Sequence, residues 1–418
     1  LEKGEFAVMD LLIKDALIAG TDTIADIGIK DGKIVSVGET IETATDSIDA
    51  GGKLVSPAFI DPHIHLDKTN IVDVVRPNAT GTLTEAIEII WDKKARYTIE
   101  DIVERAGKTI KMACLNGTTR IRTHVDVDTT GKLVPLEGIV EARKMYAPIM
   151  DVQIVAFPQE GILQDPGTDK LMWQAMDNGA DVVGGMPANE KTPVDSQKHV
   201  DFAFDLAKEF NADIDMHVDE TDDPFYRTLE MVADATVSCG WEGRVTVGHT
   251  CALAAYDDTY ADYVMDKVKA AELNVITNPV TNLLLQGRQD KQPIRRGITR
   301  VKELLARGVN MSFGQDCVRD TFYPFGKADL LEVALIVAHA AQLSLPEEIN
   351  TVFQMMTTNA ARILRLDDYG LTTGSRADLV VLDCSNIADA IRVQPTRLFV
   401  IKNGKIVARN KVESQLYF

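Results

Sequence analysis

The chain has 418 residues, 45% of them apolar and 26% charged, the composition of a globular protein long enough for one large unit and a smaller one. A formal net charge of −19 argues against nucleic acid or an anionic membrane as partner, because phosphate surfaces want clustered Lys and Arg. There is no run of about eighteen apolar residues to span a bilayer. The five cysteines form no CxxC pair or framework, so a reducing, cytoplasmic setting is expected.

No basic-then-apolar leader is present. Met9-Asp10-Leu11-Leu12-Ile13-Lys14 reads as the natural beginning, and residues 1–8 as an extension foreign to the folded unit. Residues 10–56 read as short strands. Ile27-Gly28-Ile29-Lys30-Asp31-Gly32-Lys33-Ile34 carries an Asp-Gly hairpin signal between alternating apolar residues. The far end repeats the pattern, with a strand at Ala377–Leu382 and a hairpin about Asn403-Gly404. Both ends together, 9–56 and 366–412, are therefore expected to build one small β-sandwich.

Between them, Leu54 to Ile60 reads as a buried strand running into Asp61-Pro62-His63-Ile64-His65. Alternation puts His63 and His65 on one face, a ready-made pair of metal ligands. Further β-branched strands fall at 119–126, 151–157, 181–186, 213–217, 244–249, 273–277 and 309–314, with helical patterns between them such as 196–209 and 260–271. Eight strand–helix units over 57–365 predict an α/β fold, a parallel (β/α)8 TIM-like barrel, whose chemistry sits at the carboxyl ends of the strands. His63, His65, Gln159, His217, His249 and Asp316 all fall at such ends.

Three histidines and a carboxylate make a mixed N/O site suited to one divalent ion, Zn2+ or Fe2+. His63, His65, His217 and Asp316 as ligands leave room for one water, whose pKa the ion would lower toward neutrality. Asp316 can also accept a proton. His249 is cast as an orienting and polarising neighbour that could also ligate. Glu220, three residues past His217, is placed to carry a proton to a ring nitrogen of a substrate. Asp219 is expected to cap a helix or face solvent. Gln159 offers donor and acceptor together, which suits a heterocycle with both carbonyl and NH. His124 reads as a buried, hydrogen-bonded residue of the barrel wall, and His199 and His339 as incidental.

The fourth strand ends in Gly184-Gly185 without a lysine to bridge two metals, which favours a single ion. The His-x-Glu with Pro-Cys-x-x-Cys design of other deaminases, a Gly-x-Ser-x-Gly elbow and a P-loop do not occur.

From about residue 10 to 410 the sequence resembles the amidohydrolase superfamily and, within it, the bacterial cytosine deaminases. The resemblance is carried by Asp61-Pro62-His63-Ile64-His65-Leu66-Asp67, Arg122-Thr123-His124-Val125-Asp126, Phe157-Pro158-Gln159-Glu160-Gly161, Leu285-Gln286-Gly287-Arg288 and Arg295-Arg296-Gly297-Ile298-Thr299-Arg300. It implies hydrolytic deamination supported by iron or zinc, with His217 and Asp316 as ligands, Glu220 as proton shuttle and Gln159 against the pyrimidine. Leu83 is a further candidate for the pocket wall. Two departures stand on the loop after strand eight: Cys317 replaces a second aspartate, and Phe322 replaces a tryptophan. Both leave the substrate's C5 edge in a roomier, less polar place, so a 5-substituted cytosine is expected to be accepted beside cytosine. Related members remove amines from triazines; Asp67-Lys68 resembles those, but they lack the glutamate that Glu220 provides. An amidohydrolase acting on a triazine or other cyclic amide is the second reading, and a non-catalytic assembly protein on the same fold the third. The expected partner is a small heterocycle, and a homo-oligomer is expected.

Overall fold

A computed structural model describes residues 8–38 and 43–418; residues 1–7, most of the expected extension, lie outside the described residues. Eight parallel strands make one sheet whose spatial order follows the chain: β1 (Phe59–Ile64), β2 (Thr118–Asp126), β3 (Asp151–Phe157), β4 (Val182–Gly185), β5 (Asp213–Val218), β6 (Val245–His249), β7 (Asn274–Thr277) and β8 (Asn310–Phe313). The sheet closes where β8 meets β1. The Asp316 N–H donates to the His63 carbonyl at 2.8 Å and the His65 N–H to the Asp316 carbonyl at 2.9 Å, a parallel bridge between Ile64 and Asp316. This is the (β/α)8 barrel anticipated from the strand–helix alternation.

The connecting helices follow their local signals. Pro193–Phe210 starts at Thr192, whose side chain accepts from the Asp195 N–H. It carries Pro at its first position and ends at Asn211 in a left-handed conformation. Its buried residues, Ser196, His199, Val200, Ala203, Phe204, Leu206 and Ala207, recur largely at helical spacing and form the face turned to the barrel.

The opening strand differs from expectation. Leu54–Pro57 and Phe59–Ile64 are separate strands in different sheets. The first pairs antiparallel with Leu379–Leu382, and the chain passes to the barrel at Ala58. An unbroken apolar run hides such a change, because burial is complete on both sides of it. His63 therefore lies inside β1 rather than just past it.

The two chain ends build a second eight-stranded sheet, from Met9–Ile18, Ile24–Lys30, Lys33–Val37, Ala44–Asp49, Leu54–Pro57, Leu379–Leu382, Arg397–Lys402 and Lys405–Arg409. It has its own core, including Leu11, Ile13, Ile27, Ile29, Ile34, Val55, Val381 and Ile401. Both tight turns take positive φ at each central residue, Asp31-Gly32 and Asn403-Gly404, as their sequences require. No helix among the described residues is long and apolar enough to cross a membrane.

Candidate active site

The barrel interior is unusually polar at its floor. β2 is buried at every position. Arg122 within it pairs with Asp215 of β5 at 2.8 Å and donates to Gln153 at 2.7 Å. Above this floor the histidines converge. His63 Nε2 and His65 Nε2 each lie 3.4 Å from Asp316 Oδ1, and His65 Nε2 lies 3.0 Å from His217 Nε2. Ligand-capable atoms of His63, His217, His249 and Asp316 fall within 4.8 Å of one another.

Three observations fit these residues to a divalent cation. The donor set is nitrogen and oxygen, as zinc or iron accepts. His63 Nε2 and Nδ1, His217 Nδ1 and Asp316 Oδ2 are buried without a hydrogen-bond partner, a costly arrangement that a cation would satisfy. Protonation also favours ligation. Burial, aided by the Lys68 charge, pulls the His65 imidazole down to about 4, and burial with the neighbouring imidazoles holds His217 well below the ordinary histidine range. Both rings are therefore neutral ligands at physiological pH. Burial alone would raise Asp316, but the surrounding His249, His63 and His65 hold it well below the ordinary carboxylate range.

Glu220 sits beside this group at the end of β5. Its Oε1 accepts from Asn282 Nδ2 at 3.0 Å and lies 3.1 Å from His249 Nδ1. Burial would lower the His249 pKa, yet the Glu220 and Asp316 carboxylates outweigh it and hold the ring at about 9. His249 Nε2 meets Asn278 at 3.1 Å. Asp219, His249, Thr250 and Asp316 all have positive φ, a conformation costing non-glycine residues about 1–3 kcal/mol each. The strand ends are thus held in strained turns, from which His249 and Asp316 join the converging donors while Asp219 and Thr250 bond Thr228 and Thr299.

One small cavity runs over the ensemble. It is lined by His65, Lys68, Leu83, Ile87, Phe157, Gln159, Met186, His217, Glu220, Thr281, Asp316, Cys317 and Phe322. All four expected substrate-side residues, Gln159, Leu83, Cys317 and Phe322, are on its wall. Cys317 is buried; that burial, with the Asp316 and Asp320 carboxylates nearby, pushes its thiol well above the ordinary range, so it presents a neutral SH.

Several expectations change. Neither nitrogen of His124 has a hydrogen-bond partner; its ring lies against His63 with centroids 4.1 Å apart, and Nε2 is 3.6 Å from Asp215. His199 is not incidental. Its Nδ1 meets Glu190 at 2.8 Å and its Nε2 accepts from the Met186 N–H, while Glu190 also binds the N–H groups of Ile162, Leu163 and Gln164. The pair pins the loop that follows Gln159. Asp219 is buried and caps the helix Thr228–Cys239 through the Thr228 and Leu229 N–H groups; it does not face solvent. Gln159 Oε1 is already engaged, accepting from Lys68 Nζ at 2.6 Å.

Sequence reasoning named Lys68 only within the Asp67-Lys68 resemblance, without a role at the site, and passed over Asn278 and Asn282. Lys68 lies three residues past the histidine pair, and Asn278 immediately follows β7, a strand end at which no candidate was expected.

The amidohydrolase family pattern matches residues 71–408. The chain belongs to the amidohydrolase family. A 5-methylcytosine deaminase from Klebsiella pneumoniae, solved with 5-fluorocytosine, superimposes with a TM-score of 0.93 at 38% identity, covering 97% of this chain and 99% of that one. The N-isopropylammelide isopropyl amidohydrolase of Pseudomonas sp. (strain ADP) is 32% identical over 96% of this chain and 98% of its own. A pterin deaminase from Rhizobium rhizogenes is 30% identical over 98% and 89%. This amidohydrolase is accordingly a hydrolytic enzyme of carbon–nitrogen bonds, of the deaminase kind, in a family that uses a divalent metal.

Proposed function

We propose that this amidohydrolase removes the exocyclic amine of cytosine or a 5-substituted cytosine, using one ion of iron or zinc. The observation that carries the reading is one small cavity on whose wall His65, His217, Asp316, Glu220, Gln159, Cys317 and Phe322 all stand. Such a cavity holds a planar heterocycle between a metal face and a polar edge. The similarity to the 5-methylcytosine deaminase supports the same substrate class.

His63, His65, His217 and Asp316 would hold the ion. When bound, it supplies a Lewis acid that brings a water's pKa toward neutrality. The chain's own groups do the rest. Glu220, fixed by Asn282 and His249, carries a proton to the ring nitrogen beside the amino-bearing carbon as a water oxygen bonds to that carbon; the C–N bond then breaks, and the amine leaves as ammonia with the proton that Asp316 has taken from the water. Asp316 accepts the water's proton. Gln159 binds the carbonyl edge of the ring. Cys317 and Phe322 give the C5 edge an apolar contact instead of a carboxylate.

The second reading, removal of an amine from a triazine, is favoured by the 32% identity to the isopropylammelide enzyme. Release of ammonia and of alkylamine from metal-loaded protein, measured across cytosine, 5-methylcytosine, N-isopropylammelide and pterin, separates the two. Ammonia from the cytosines is expected; activity confined to the triazine or the pterin would replace this reading.

A further inference from the structure

Lys68 is a fully buried lysine on the wall of the substrate cavity. Its Nζ donates to Asp126 Oδ1 at 2.5 Å and to Gln159 Oε1 at 2.6 Å. Among the described residues no third acceptor is bonded to it. The ammonium lies 5.3 Å from the ring centre of Phe157 and 5.9 Å from that of Phe322, and both rings line the same cavity. Behind it stands a buried charge network. Lys94 bridges Asp126 and Asp128, each at 2.6 Å, and reaches Glu160 at 3.2 Å. Burial works against the Lys68 charge, but Asp126 and Asp67 overcome it and keep the amine protonated.

Two consequences follow from hydrogen-bond chemistry. An ammonium has three donors and no acceptor, so the oxygen of the Gln159 amide, not its nitrogen, must face Lys68. That fixes the amide orientation. The bonds to Asp126 and Gln159 also leave Lys68 one N–H. The edge of the cavity at Lys68 and Gln159 therefore offers donors, the third Lys68 proton and the Gln159 NH2. That NH2 has only a long contact among the described residues, to Glu160 Oε1 at 3.4 Å.

We infer that Lys68 is a substrate-binding and specificity-determining residue, selecting six-membered rings that carry a lactam carbonyl on the edge facing Gln159. The inference rests on the deaminase reading and deepens it, by naming what the substrate must present opposite the amine. A ring with hydrogen in place of that oxygen leaves a buried cation with an unmatched donor, and such mismatches discriminate strongly. The same Lys68–Gln159 edge accommodates oxo-pyrimidines and oxo-triazines alike, because it reads the carbonyl and not the rest of the ring.

The test is direct binding, so that it does not depend on turnover. Metal-loaded native protein and Lys68→Met are titrated with 2-hydroxypyrimidine, which presents the lactam carbonyl, and with pyrimidine, which lacks it. Asp126 keeps Lys94 as a partner in the variant; thermal unfolding and metal content check that the fold survives. If it does not, Lys68→Leu, which also lacks a donor, is read the same way. A charge-assisted hydrogen bond predicts that the native protein prefers the lactam by about ten- to a hundredfold. The substitution should erase most of that preference while changing pyrimidine binding less than about threefold. A preference that persists in the variant, an equal loss on both ligands, or equal binding of both to the native protein overturns the inference. Ammonia release from cytosine by the same native sample reports separately on the deaminase reading.

Discussion

The Asp316 N–H donates to the His63 carbonyl across the seam that closes the barrel. Two candidate ligands 253 positions apart in the chain thus share one backbone hydrogen bond, and barrel closure and ligand convergence are a single structural event. Gly314 sits inside that seam. A Cβ there would meet the His63 carbonyl oxygen at 2.4 Å and the His63 Cβ at 2.7 Å. Gly314→Ala should therefore push β1 and β8 apart, lowering metal content and activity together. Elemental analysis and turnover check it; a variant with full metal and native rate would show that the seam tolerates movement.

One divalent ion per active chain is expected, since the two groups of converging donors, His63–His217–His249–Asp316 and His63–His124–Asp215, share His63, and β4 ends in Gly184-Gly185. Chelation should abolish turnover and lower the melting temperature, and zinc or iron should restore both, because a ligand bound only by the folded state stabilises it. Two tightly held ions per active chain by elemental analysis would contradict this.

Glu220→Gln keeps the size of the side chain and a partner for Asn282 but cannot cycle a proton. Turnover should fall by about a hundred- to ten-thousandfold, with metal content unchanged. A near-native rate would move the proton transfer to another group, with His249, 3.1 Å away, the first to examine.

Asp320 gives a pH signature in the metal-free protein. Burial raises its carboxyl from 3.8 to about 7, despite bonds from the Phe322 and Tyr323 N–H groups. The folded state thus holds this proton more tightly than the unfolded chain. The associated stability is fully present below pH 4 and is lost as pH rises through 7, by at most about 4 kcal/mol. Asp320→Asn should flatten the fall of melting temperature between pH 4 and 7. Some slope will remain, because buried Asp61 is also raised to about 7. Identical pH profiles for the two proteins would show that Asp320 does not titrate in this range.

The barrel and the histidine convergence were legible because both leave periodic marks: β-branched runs of strand length, several of them ending at or near His, Asp or Gln. Other features leave no such mark. The change of sheet at Ala58 is invisible in an apolar run. The His199–Glu190 contact joins a helix to a loop, and no local pattern encodes it. Lys68 stands in the sequence only as part of the Asp67-Lys68 resemblance, and its burial shows only when Asp126, 58 positions away, is seen to neutralise it. The Gln159 orientation follows only from that contact.

The account's central claim concerns the ring that enters the cavity, and kcat/KM for cytosine and 5-methylcytosine tests it most directly, in the native enzyme and in Cys317→Asp. The account predicts that the native enzyme uses 5-methylcytosine at least as well as cytosine. The aspartate should then shift preference toward cytosine by about ten- to two-hundredfold, the worth of one methyl in a pocket. A native enzyme that strongly prefers cytosine, with a ratio the aspartate leaves unchanged, or one that releases ammonia from neither pyrimidine, would contradict it.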